Sequence, residues 1–276
     1  MSLHNVMKRF ALSLIILFLF CFNAFPSPAI RISSVVYPPI TSEKVLTGLG
    51  YGMCIDIVTE AFKAVSVGVD YDLLPMSRNV WSIIRLNDDA CLGTMGWFRK
   101  AEAEKLVDYV DVVNLNFMGF YRKSSFPGGV SFNYLDELKD YRFGSVRGSG
   151  SQKTLEAAKL KVDFAHDIRL VFLKLNARRT DFAVAFRVTG NYLIKKLFPN
   201  NVADYAYMEK PLLKAPISLI FLKDKVKLKK RFLDGLKIIA KNGTYHNILV
   251  RYYGDAGIPD GTIPDFILEN MGAGKE

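Results

Sequence analysis

Two hydrophobic periodicities trade places along residues 30–253 of this 276-residue chain, and that exchange restricts the fold more than any other feature. Ile30–Tyr37 is dense in β-branched residues and stops at Pro38-Pro39, which reads as a strand. Ile55, Val58, Phe62 and Val65 then recur at three- and four-residue spacing, the pattern of a helix with one buried stripe. Val69, Tyr71 and Leu73 alternate as a second strand ended by Pro75, and a helix runs on towards Leu86. Ala90–Met95 is a short buried strand, Lys100–Leu106 a short helix, and Val110–Arg122 a long apolar extended stretch.

The rhythm then restarts. Tyr141–Val146 is a strand, and the loop Arg147–Ser151 opens a helix through Leu155 and Ala158. Ile168, Val171 and Leu175 mark a helix, Phe182–Phe186 a buried strand, and Val188–Phe198 a helix. Pro216–Leu222 is a strand, Leu228, Phe232, Leu236 and Ile239 form one helical stripe closed by Asn242-Gly243, and a last helix covers Tyr245–Tyr253. The glycine- and proline-bearing stretch after Gly254 reads as an irregular surface segment. Strand–helix alternation with short connections predicts an α/β fold with mainly parallel sheets, and two rounds of it predict two lobes.

The N-terminus predicts a destination. Lys8 and Arg9 precede an apolar run from Phe10 to Phe25, short for a membrane span, and Ser27-Pro28-Ala29 supplies a small-residue exit. Residues 1–29 thus read as a cleaved secretory signal peptide, which sends the chain to the periplasm. Cys21 lacks the small residues that precede a lipidated cysteine. Lysine and arginine number 37 against 27 acids, a formal charge of +10. Loss of residues 1–29 takes Lys8, Arg9 and no acid, which leaves +8. For an exported chain that charge favours anionic ligands or envelope surfaces over nucleic acid. Its densest run, Lys223 to Arg231, reads as a solvated strand end and helix start. Export leaves Cys54 and Cys91 with two options, a disulfide or two buried thiols.

Catalytic motifs are missing. The chain has no phosphate-binding Gly-rich loop followed by Lys-Ser/Thr, no H-E-x-x-H, no C-x-x-C and no G-x-S-x-G. His4, His166 and His246 share no metal-ligand spacing, and no cofactor motif appears. The side chains suited to binding stand at predicted strand ends, where open α/β sheets place their ligand crevice. Tyr37 ends the first strand, and Arg78 follows the second. Trp97 and Arg99 follow the third, where an aromatic beside an arginine can hold a planar or anionic group. Arg147, Ser149 and Ser151 lie on a glycine-rich loop that opens a helix, a suitable place for a carboxylate or phosphate.

Several short motifs recur in a telling order: Tyr37-Pro38-Pro39, Gly52-Met53-Cys54-Ile55-Asp56, Leu74-Pro75-Met76-Ser77-Arg78 and Asp89-Ala90-Cys91. Glu104 to Tyr109, Phe143 to Ser149, Asp181 to Ala185 and Asn242-Gly243-Thr244-Tyr245 complete the set. In this order the chain resembles the bacterial extracellular solute-binding proteins that serve polar amino-acid ABC importers. The resemblance implies a two-lobed periplasmic-binding-protein-like fold of type II, joined by two hinge strands crossing near Asn116–Phe120 and Ala215–Leu219. Residues 30–117 and 219–270 would form lobe 1, residues 118–218 lobe 2, and residues 271–276 a tail. Closure would bury a ligand between Tyr37, Arg78, Trp97 and Arg99 on one side and the Ser149 loop on the other.

Two departures qualify the ligand. Amino-acid binders of this family carry an arginine five residues before the aspartate that here is Asp108, and this chain has Ala103 there. They carry an aspartate five residues after the one that here is Asp181, and this chain has Phe186, which puts a ring at the ligand position. Without those counter-charges a buried zwitterion is costly to hold. The resemblance therefore implies a small polar or anionic ligand other than a standard α-amino acid, or an aromatic, less polar solute. It would be captured by a monomer, without turnover, and delivered to an ABC importer permease. Alternatives are an exported enzyme on the same fold, of the cyclohexadienyl dehydratase kind, and a ligand-sensing partner of a membrane receptor.

Overall fold

The computed structural model describes residues 29–85, 88–100 and 102–272. The expected signal peptide therefore lies outside the described residues except for Ala29, as does most of the 271–276 tail. In chain order the first elements are β1 (Ile30–Ser34), α1 (Met53–Lys63), β2 (Val69–Leu73), α2 (Met76–Ile84), β3 (Ala90–Gly93), α3 (Met95–Lys100) and β4 (Val107–Arg122). The second round runs β5 (Arg142–Val146), α4 (Gln152–Ala157), β6 (Lys161–Ala165), α5 (Ile168–Asn176), β7 (Phe182–Phe186), α6 (Arg187–Leu197) and β8 (Tyr205–Tyr207). The chain then returns through β9 (Leu213–Leu222), α7 (Val226–Lys241), α8 (Thr244–Tyr253) and α9 (Asp265–Asn270).

The strands hydrogen-bond in the order β2-β1-β3-β9-β4-β7-β5-β6, with β8 added on β4. Parallel pairing follows the strand–helix alternation: β1 pairs in parallel with β2 and β3, and β5 with β6 and β7. The two long strands supply antiparallel pairing at the centre. β4 runs against β9 from Val107 to Phe117 and against β7 from Phe117 to Phe120. Phe117 is thus the residue at which one strand passes from the first half-sheet to the second. β9 meanwhile reaches β3 through Ser218–Ile220. An α/β lobe forms on either side of this pair.

Each half-sheet buries the apolar stripe of its helices, as the periodicity requires. In the first, α1 packs Ile57, Val58, Ala61 and Phe62 inwards, and α7 answers with Phe232, Leu236 and Ile239. The Phe62 and Phe232 rings lie 5.1 Å apart. The helices approach so closely that a Cβ on Gly235 would fall 1.9 Å from the Ala61 carbonyl oxygen. A glycine is needed there for space rather than for dihedral freedom. Helix α8 is tied to α1 by polar groups: the Tyr252 hydroxyl donates to Asp56 at 2.7 Å and accepts from the Gly52 N–H at 2.9 Å, and Arg251 pairs with Asp56 at 2.7 Å.

Two sequence expectations change, and the open choice at the cysteines is resolved. The stretch after Gly254 is not wholly irregular: it ends in α9, which buries Ile267, and the Asn114 N–H donates to the Thr262 carbonyl at 2.8 Å. Cys54 is a buried free thiol in the large core, whereas Cys91 packs in a smaller cluster with Val80, Phe98 and Val107, so no bond joins them. The basic run is partly tethered rather than simply solvated. Lys225 pairs with Asp89 at 3.0 Å, Lys229 with Asp108, and Lys230 with Asp234 at 2.7 Å.

Candidate functional site

Parallel strands leave their carboxyl ends on one edge, where loops and helix starts surround a crevice. Here that edge is shared by both lobes. The ends of β1 and β3, the loop after β5 and the end of β7 meet over the crossing strands around a narrow cavity of about 50 Å³. Its walls include Val35, Tyr37 and Ile40 from one lobe, Ser149, Gly150 and Phe186 from the other, and Phe117, Ala215 and Ile217 from the crossing strands.

Three rings close the cavity. Phe117 and Phe186 are direct cross-strand partners on β4 and β7, with centroids 3.9 Å apart. Tyr37 meets Phe186 edge-on at 5.7 Å, a contact that joins the two lobes. Tyr37 is itself fixed by a turn in which its N–H donates to the Thr41 carbonyl at 3.0 Å. Burial pushes its phenol pKa well above the ordinary value, so the hydroxyl stays protonated. The Trp97 ring packs closely against Gly93, where a Cβ would come within 2.0 Å of it. Its indole Nε1 is buried with no hydrogen-bond partner among the described residues.

The cavity's hydroxyls are mostly committed to the protein. Ser34 donates to the Leu92 carbonyl at 2.8 Å, and Thr41 donates to the Val35 carbonyl. Thr94 Oγ1 accepts from the Gly96 N–H at 3.3 Å. Ser149 and Ser151 share a hydrogen bond of 2.9 Å, and Ser151 reaches Ser145 at 3.1 Å. No side chain that lines the cavity carries a formal charge.

The residues singled out in the sequence divide by location. Tyr37, Trp97, Ser149 and Phe186 line the cavity, and Ser151 is buried behind Ser149. Arg78 lies on the surface beside Arg31, Asp72 and Trp81, and Arg99 is exposed and paired with Glu104 at 3.3 Å. Arg147 is exposed, its guanidinium 5.5 Å from the Phe164 ring, and faces a wider groove next to the cavity. The expected anion cradle at Arg147–Ser151 is partly occupied by protein groups, because the Gly148 N–H donates to Gln152 Oε1 at 2.7 Å. Thr94 and Phe117 line the cavity without having been singled out. Thr94 stands directly after β3, a position the strand-end rule covers, whereas Phe117 is one apolar residue among many on β4.

The positions of the missing counter-charges are now filled. Ala103 is buried in the small cluster with Val80 and Phe98, and Phe186 occupies the cavity. Asp108 and Asp181 bind Lys229 and Arg142 instead of lining the cavity. Burial alone would raise the Asp181 carboxyl, but hydrogen bonds from the Arg142 side chain and N–H bring it below the usual carboxylate range.

No family model and no curated protein matches the chain. Solved structures do. The substrate-binding protein of an amino acid ABC transporter aligns with a TM-score of 0.64 at 16% identity, over 82% of this chain and 99% of that one. An ancestral arginine-binding protein bound to arginine gives 0.65 at 20% identity, over 83% and 100%. A histidine kinase sensor domain with similarity to periplasmic binding proteins gives 0.68 at 16%, over 83% and 97%. The chain has the periplasmic-binding-protein fold. At these identities the likeness fixes the architecture and leaves the ligand to the lining of the cavity. In this periplasmic-binding-protein fold the cavity lies between the lobes, beside the two crossing strands. Among the described residues, no helix is long and apolar enough to cross a membrane.

Proposed function

We propose that this chain is an exported solute receptor that closes on a small, weakly polar ligand and presents it to the permease of an ABC importer. Residues 30–117 with 219–270 and residues 118–218 act as the two jaws. One observation supports the reading above the others: strand ends from both jaws converge on one narrow cavity whose lining is uncharged and mostly apolar. Burying an unpaired charge there would cost several kcal/mol. This narrows the polar-or-anionic expectation: whatever part of the ligand enters the cavity is neutral. The unpartnered Trp97 N–H and the protonated Tyr37 hydroxyl remain to orient it.

The cavity lining supports binding over turnover in this reading, because no carboxylate or imidazole stands in the cavity to move a proton. The test is a thermal-shift and calorimetric screen of the mature protein against the twenty amino acids and a library of small neutral and aromatic metabolites. Saturable binding of a neutral compound with quenching or shift of Trp97 emission is expected. Submicromolar binding of a standard α-amino acid would overturn the assignment of ligand class. Co-elution of the closed form with a reconstituted permease, rather than with a sensor kinase, tests delivery.

A further inference from the structure

Beside the cavity, and sharing Val35 and Tyr37 with it, lies an open groove of about 650 Å³. It too is built at strand ends: Leu73 ends β2 and Leu74-Pro75 follow it, Val146 ends β5 and Arg147 follows it, and His166 follows β6. Like the cavity it spans the two lobes, and its size suits a small molecule. Its chemistry is the opposite of the cavity's. Arg147, Arg169 and Lys196 all face it from the second lobe, and among the described residues none of the three takes part in an ion pair. Two acids face them. Asp167 is engaged, capping α5 through the Leu170 N–H at 2.8 Å and lying 3.3 Å from His166. Glu43, across the groove on the first lobe, is the other.

We propose that this groove is a second compartment of the ligand site, and that Arg147, Arg169 and Lys196 bind the anionic head, a carboxylate or phosphate, of a ligand whose apolar end enters the cavity. The inference rests on the solute-receptor reading and extends it. A buried apolar slot with a cationic groove beside it sorts an amphipathic anion by parts: the charge stays where water and guanidinium groups can hold it, and the apolar portion is desolvated. Glu43 then disfavours a second negative charge on the first-lobe side.

The test uses the protein's own optics. Its two tryptophans are Trp81, which is exposed, and Trp97, which lines the cavity, so a Trp81→Phe background reports on the cavity alone. Phenylalkanoates from phenylacetate to phenylpentanoate, the matching alcohols and the matching phosphate esters are titrated against Trp97 emission. At the best chain length, acids or phosphates are expected to bind about tenfold more tightly than the alcohol, the effect of roughly 1.4 kcal/mol. The combined Arg147→Ala, Arg169→Ala and Lys196→Ala variant abolishes that ratio and leaves the alcohol's affinity unchanged. Arg169→Gln alone, a milder surface change, reduces the ratio if the triple variant proves unstable. Equal binding of acid and alcohol, or a ratio untouched by these changes, overturns the groove while solute capture stands. Silence of Trp97 towards every probe also overturns it, and the neutral-metabolite screen then decides separately whether the cavity binds anything.

Discussion

Removal of the Phe186 ring tests the proposed closure directly. Phe186 is 6% exposed, its ring tilted against Phe117 with centroids 3.9 Å apart and edge-on to Tyr37 at 5.7 Å. Phe→Ala at such a position costs about 3–5 kcal/mol when the surroundings cannot collapse. The ring borders an existing cavity, and Tyr37 belongs to the opposite lobe, so relaxation is easier than in a sealed core and the lower figure of about 3 kcal/mol applies. For a chain of this length each kcal/mol lowers Tm by about 2–4 °C, so Phe186→Ala is expected to melt roughly 6–12 °C below wild type. Phe186→Leu, which keeps most of the volume, is expected to lose under half of that. The space opened in the alanine variant is apolar and ring-shaped. Indole or toluene at about a hundred times its Kd would return about 2.7 kcal/mol to the variant. Differential scanning calorimetry with and without the compound measures both effects. A loss below about 2 °C would show that the ring is not packed between the lobes, and equal stabilisation of wild type would show that it does not fill the space.

Other outcomes follow from single sites. Gly235→Ala gains about 0.5–1 kcal/mol of helix propensity but drives a methyl into the Ala61 carbonyl, an overpacking cost of about 1–3 kcal/mol. A lower Tm is therefore expected, and an unchanged one would mean that the helices separate freely. Ser151→Ala should cost about 1–2 kcal/mol in urea unfolding, because Ser145 and Ser149 lose a buried partner. Asp181, held below its ordinary pKa by Arg142, contributes stability that is complete above the unfolded carboxylate value of about 4 and is lost as pH falls through the folded value. Asp108 behaves in the same direction through its hydrogen bond from Lys229, whereas Asp56, raised chiefly by burial, opposes them. Tm measured from pH 5 to pH 2 should accordingly fall less steeply in Asp181→Asn than in wild type; equal slopes would refute the pairing.

The sequence conveys the lobes better than the site. Strands 69–73 and 182–186 match their expected bounds because alternation or a short apolar run between turn signals admits few other readings. β6, Lys161–Ala165, escapes notice because it is an edge strand with charges on its open face, and β8 is too short for any period to show. Strand ends locate the crevice because parallel topology forces loops to that edge. The arginines are harder to place. Arg99 sits on α3 only a few residues beyond β3, yet one helical turn carries it to the surface and to Glu104, while Trp97 two residues earlier faces inwards. Phe117 carries no signal at all, since its role comes from the partner exchange on β4, a property of register rather than of local pattern.

Ala103 and Phe186, together with the pairing of Asp108 and Asp181 elsewhere, leave the cavity without a charged side chain. Asp108 ties β4 to α7 through Lys229, and Asp181 ties the start of β7 to β5 through Arg142, so both serve the lobes rather than the cavity. Position 103 contains a methyl packed among Val80 and Phe98, and position 186 a ring tilted against Phe117. An arginine introduced at Ala103 would place a guanidinium in an apolar cluster, at a cost of several kcal/mol. Under the proposed reading the work is divided by place: the cavity's desolvation penalty selects against a charge inside it, and Arg147, Arg169 and Lys196 hold an anionic head at the groove, where the charge need not leave water.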